Sequence, residues 1–223
     1  MAGSRPWNRT VFDDTITKYP GEWHFISDRY ALTLERVRPI QPRYIFFLHW
    51  SWVVPEELAG EFESVCFHMT DVPYGRGGSP MQNMIARGHH STTLTALRMC
   101  AELDAGRVYM KAPLSLDGGG EEILIRSSRL AAQMILRIVE SEPASVPQTG
   151  VPVVFRRRKP SESAMPEFES LERTYDHIRM LDAEGYPKAY LVYKGLRYEF
   201  SRPALYDGRI IADVLIVPSG DES

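Results

Sequence analysis

The stretch CFHMTDVPYGRGGSPMQNMI, residues 66–85, decides how the chain folds. It begins as an apolar run that reaches His68, crosses a glycine-rich turn from Gly75 to Gly78, and resumes at Pro80 with apolar residues at helical spacing. A buried strand that runs through a glycine turn into a proline-started helix is the strand-to-helix step of an α/β sheet, because glycine suits the reversal and proline the first helical position.

The same order appears upstream. YIFFLHW, residues 44–50, reads as a strand buried on both faces, and PEEL after it starts a helix with two acids in the dipole-favoured first turn. HFIS (24–27) reads as a shorter strand and ALTLERVRPI (31–40) as a helix that ends near Pro39 and Pro42. Alternating strands and helices favour parallel pairing with helices on both faces.

Downstream, the run from Ser91 and the segment Val108 to Pro113 read as a hairpin-like pair at the far side of the sheet. Glu121 to Glu140 is the clearest helix, with Leu124, Ala131, Ile135 and Ile138 on one face. The proline-rich SEPASVPQTGVP, 141–152, reads as a linker. Beyond it lie a helix from about Pro166 to Asp182, two strands around Lys194-Gly195, and a strand in RIIADVLIV. The expected fold class is α/β: a mostly parallel sheet with helices on both faces over 1–140, a small β-rich α+β subdomain over 153–218, and a disordered tail over 219–223.

With 223 residues, 43% hydrophobic and 25% charged, the chain is long enough for one well-filled core and an appendage. A net charge of −3 argues against nucleic acid as the main partner and for small molecules or proteins. Cys66 and Cys100 make neither a disulfide framework nor a CxxC pair, which fits a reducing, cytoplasmic location. No apolar run approaches the roughly 18 residues of a membrane span, so no membrane is expected.

The chemical candidates each have a plain alternative. The loop Gly75 to Ser79 can offer backbone N–H groups to an anion, yet it matches neither phosphate-loop nor dinucleotide spacing and serves equally as a tight turn. His68 closes a strand at the carboxyl edge where open α/β sheets bind ligands, though a structural histidine fits there too. Cys66 lies two residues before it on the same face, which permits a thiol beside its base or simply a core cysteine. Cys66, His68, His89 and His90 have no zinc-ligand spacing, so no metal is expected. Asp104 in LDAGR either shapes a turn or presents a carboxylate. Arg156 to Lys159 reads as a solvated charge run.

Taken together, these stretches resemble a known family. HMTDVPYGRGGSPMQ is similar to the signature of the folate-dependent formyltransferases, with Val72-Pro73, Arg76-Gly77 and Gly78-Ser79-Pro80-Met81-Gln82 after the histidine. AELDAGRVYMKAPLSL resembles their second signature, centred on Leu103-Asp104-Ala105-Gly106. HWSWVVPEEL is similar to their folate-pocket loop, and residues 178–205 to the small C-terminal domain of methionyl-tRNA and sugar members. MAGSRPWN resembles the end of a first strand and its loop in the sugar-modifying members, with the N-terminal half shortened.

The resemblance implies a Rossmann-like fold and transfer of a formyl group from N10-formyltetrahydrofolate to a primary amine. His68 would face the tetrahedral intermediate while Asp104 orients it and takes the amine's proton. Trp52, Val53, Val54, Leu103 and Asp104 would hold the pterin, and Arg76, Gly77 and Gln82 the amine substrate. That amine is expected to be a nucleotide-linked amino sugar, with an aminoacyl-tRNA or a purine precursor as alternatives; a homodimer is compatible with the organisation. In one place the chain departs from the pattern: Cys66 stands where the family usually has asparagine. A thiol is a weak donor, and loss of one oxyanion donor costs about 3 kcal/mol. Asn83 or Gln82 could substitute, His68 and water could suffice, or the chain could be a non-catalytic folate- or nucleotide-binding protein.

Overall fold

Residues 1–220 are described by the computed structural model. The first elements are strand β1 (Ala2–Gly3), helix α1 (Pro6–Asp14), the single turn α2 (Leu34–Val37), strand β2 (Tyr44–Leu48) and helix α3 (Glu56–Glu61). Then come β3 (Glu63–His68), β4 (Tyr74–Gly77), α4 (Pro80–Ala86), β5 (Ser91–Arg98), β6 (Val108–Ser115) and the long α5 (Gly120–Ser141). The remainder comprises β7 (Val153–Phe155), α6 (Leu171–Arg179), β8 (Ala189–Tyr193), β9 (Leu196–Tyr206) and β10 (Arg209–Pro218).

The main sheet has the order β1-β2-β3-β5-β6. β1, β2 and β3 are mutually parallel, and the β5–β6 hairpin adds an antiparallel continuation. Apolar side chains fill both faces. Phe46, Leu48 and Val65 pack into the larger core with Val11 of α1 and Ile135 of α5, while Ile45 and Phe47 join Val37 and Leu58 on the other side. Each phenylalanine buried this way removes apolar area from water, worth on the order of 1.5–3 kcal/mol per side chain.

Several boundaries differ from the sequence expectation. HFIS forms only an isolated bridge, Ile26 to Ala2, and the helix expected over 31–40 shrinks to α2 and a following 3₁₀ turn. The Gly75–Gly78 turn is mostly strand: β4 pairs in parallel with β7, so residues 153–155 are stitched onto the first unit. That pairing needs glycine, since Gly77 has φ 103° and a Cβ there would lie 2.4 Å from the Phe155 carbonyl oxygen. The helix expected from Pro166 starts at Leu171, because Ser170 Oγ caps it by accepting from the Arg173 N–H.

The linker segment is fastened as well. Val146 and Val108 exchange both backbone hydrogen bonds. The C-terminal unit docks through Arg179, 4% exposed, whose guanidinium donates to the Leu116 and Gly118 carbonyls just ahead of α5. Its three-stranded sheet turns at Lys194 and Gly195, both at positive φ, as a two-residue hairpin demands. The expectation of disorder for 219–223 falls, over 221–223, outside the described residues. Among the described residues no helix is long and apolar enough to cross a membrane.

Candidate active site

The carboxyl ends of β2 and β3 open into a cleft of about 590 Å³ closed on its far side by residues 154–187. His68 is the last residue of β3 and is buried. Its Nε2 lies 2.7 Å from the Gly75 carbonyl oxygen, which also accepts from Thr70 Oγ1. A carbonyl only accepts, so Nε2 carries a hydrogen and Nδ1 is the ring's basic nitrogen. Nδ1 faces Asp104 Oδ2 at 3.5 Å.

Asp104 is held in that position. Its backbone adopts φ 53°, an uncommon conformation for a residue other than glycine. Its Oδ2 accepts the Gly77 N–H at 2.9 Å, and the Gln148 amide donates to the carbonyls of Asp104 and Gly106. Gly106 is required in this loop because a Cβ there would sit 1.6 Å from the Arg98 carbonyl oxygen.

Cys66 lines the cleft beside His68. Burial, and then the Asp104 charge, push its thiol well above the ordinary range, so it stays protonated and is no nucleophile. Gln82 is buried on α4 and lines the same cleft, as does the Gly77 backbone. Arg76 does not: its guanidinium is spent on Gln148 Oε1 and Glu102, bracing the Asp104 loop from behind. Trp52, Val53, Val54 and Leu103 come together around an adjoining hollow of about 1330 Å³ that shares Trp50, Trp52 and Leu103 with the cleft. The buried Trp50 Nε1 has no acceptor among the described residues.

Two features escaped the sequence reading. The charge run is largely exposed, as a solvated run would be, yet Arg157, Arg158 and Lys159, with Arg5, also line the cleft against one carboxylate, Asp104. Burial lowers the Arg158 pKa, and its guanidinium reaches the Glu162 carbonyl. The second feature is His49, just past the end of β2, with φ 47° and its ring in the cleft wall. Trp7 Nε1 donates to its Nδ1 at 3.0 Å and Asn8 Nδ2 lies 3.2 Å from the same atom. Burial, and then the charge of Arg5, lower its pKa to about 4. Among the described residues no group of three or more His, Cys, Asp and Glu is placed to hold a metal.

Comparison with known proteins places this geometry. The model of the methionyl-tRNA formyltransferase C-terminal domain matches residues 160–217. A methionyl-tRNA formyltransferase from Lactobacillus delbrueckii subsp. bulgaricus is 30% identical over 159 residues, covering 67% of this chain and 49% of that protein. The chain thus spans about half the length of this curated relative. A solved structure described as methionyl-tRNA formyltransferase from Clostridium thermocellum is 42% identical with a TM-score of 0.92, covering 98% of this chain and 97% of that one. HypX from Aquifex aeolicus, solved with tetrahydrofolic acid, shares the fold at 15% identity and a TM-score of 0.73, over 91% of this chain and 37% of its own. With 42% identity over nearly the whole of both chains, and with its two signature stretches meeting in one cleft, the chain belongs to the formyltransferase family.

Proposed function

We propose that the chain transfers a formyl group from N10-formyltetrahydrofolate to the primary amine of a phosphate-bearing small molecule, with a nucleotide-linked amino sugar as the best fit. The observation that carries this reading is the buried His68–Asp104 pair, whose basic Nδ1 points at a carboxylate on the floor of a two-sided cleft. The amine nitrogen attacks the formyl carbon and its proton passes to His68 Nδ1, where Asp104 stabilises the imidazolium. The bond from the formyl carbon to N10 then breaks and N10 takes up that proton. Formylated amine and tetrahydrofolate result.

The formyl donor is a substrate and needs a site of its own. The hollow around Trp52 to Val54 and Leu103 suits a flat ring, which can pack against the Trp52 indole. The cleft then takes the amine, whose phosphates meet the wall of Arg157, Arg158 and Lys159. In this reading Gln82 and the Gly77 backbone face the amine, whereas Arg76 acts by bracing the loop.

Mass spectrometry of the chain incubated with formyl donor and a panel of nucleotide-linked amino sugars should show a gain of one formyl group. No product from any amine would sink the reading. The names of its relatives favour a second reading, an aminoacyl-tRNA acceptor. Formylation of charged initiator tRNA, with binding that weakens steeply as salt rises, would select it over the sugar.

A further inference from the structure

If the chain is a formyltransferase, the charge that builds on the formyl oxygen needs a donor fixed in advance. His68 is ill placed to be that donor while it acts as base, because its one hydrogen is committed to the Gly75 carbonyl. Cys66 offers only a thiol, and Asn83 spends its amide on the Gly78, Ser79 and Arg156 carbonyls.

His49 is wired the opposite way. An indole N–H can only donate, so the bond from Trp7 makes Nδ1 an acceptor and places the ring's hydrogen on Nε2. The ring lines the cleft, and no group among the described residues accepts from Nε2. β2 and β3 run in parallel with Phe47 opposite Cys66, which sets the two strand ends, and their histidines, side by side. Asn8, which helps hold the ring, is itself fixed by donating to Ser128 Oγ and accepting from the Arg5 N–H.

We propose that His49 is a catalytic residue whose Nε2–H donates to the formyl oxygen as the amine adds. In that step the new carbon–nitrogen bond forms, the carbonyl π pair moves onto oxygen and is held there by the His49 hydrogen, and no proton leaves His49. When the pair returns, the bond to N10 breaks and N10 receives the proton carried by His68. This deepens the proposed function and rests on it. Gln82 is the rival, since its amide reaches the same cleft, but no described partner fixes it.

The test uses the whole chain. His49→Phe should lower kcat by about 10²–10³-fold, the scale for one oxyanion donor. His49→Gln, which restores an amide hydrogen, should recover at least about tenfold of that, while Gln82→Leu, at a residue facing the amine, should raise the amine's KM and lower kcat less than His49→Phe does. In the unmutated protein, the His49 Nε2–H proton resonance should move when a formylated, non-transferring folate analogue binds and stay put with its deformylated counterpart. An unmoved resonance, unchanged turnover in His49→Phe, or a loss found only in Gln82→Leu overturns the proposal while formyl transfer stands. A chain that binds neither analogue and formylates no amine overturns both; if His49→Phe does not fold, the resonance and His49→Gln decide.

Discussion

Two histidines stand at the ends of neighbouring parallel strands and are held in contrary ways. His68 gives its hydrogen to the Gly75 carbonyl and turns a bare nitrogen toward Asp104. His49 receives hydrogen bonds from α1 and leaves its N–H open to the cleft. In the proposed reaction the same side chain would thus be a base at one strand end and a donor at the next. What separates them is the partner atom each neighbouring element supplies, the Gly75 carbonyl of β4 for one and the Trp7 indole N–H of α1 for the other.

The widest test of that contrast is at His68. His68→Ala should cost about 10²–10⁴ in turnover, as loss of a general base does, and Asp104→Asn, which suits the positive φ, about 10². Steady-state kinetics with unchanged melting temperature would separate this from unfolding. Equal rates in His68→Ala and the native chain would break the comparison.

The second test is acid stability. His49 is neutral when folded down to about pH 4 but takes a proton near its ordinary 6.5 when unfolded, so between these values the unfolded chain binds more protons. The stability it contributes is whole above pH 6.5 and is lost as the pH falls toward 4, by up to about 3 kcal/mol. Burial also lowers the His177 pKa, so the difference between the native chain and His49→Gln in urea titrations from pH 7 to 4 isolates His49.

A smaller effect is expected at Gln148. Gln148→Ala strands two loop carbonyls and leaves the Arg76 guanidinium only Glu102, and should destabilise by about 1–3 kcal/mol while slowing turnover about tenfold. Smallest of all, Trp7→Phe removes one donor from His49, about 1 kcal/mol, and should raise the pH at which His49 titrates by NMR.

How much of this was legible in the sequence follows from the range of each signal. Local patterns showed α5, the Lys194-Gly195 hairpin and the delivery of His68 to a strand end. β4 was read as a turn because glycine looks like a breaker until its partner β7, some seventy-five residues on, supplies the ladder. That the largely exposed run Arg157 to Lys159 also borders the cleft was hidden for the same reason: nothing nearby in sequence says which surface the run will face. His49 vanished into YIFFLHW, where apolar neighbours read as strand. The signal that could have raised it is a polar ring at the carboxyl end of a buried strand, the same signal that raised His68.

The fastening of residues 146–155 has a consequence for modularity. A cut at Glu140 keeps both signature stretches and both histidines, but removes the amide that closes the Asp104 loop and the strand that seats Gly77. Exchange of the second unit for that of a relative therefore carries the shape of the first unit's acid loop with it. A working chimera in this architecture must join after Phe155, not before Val146.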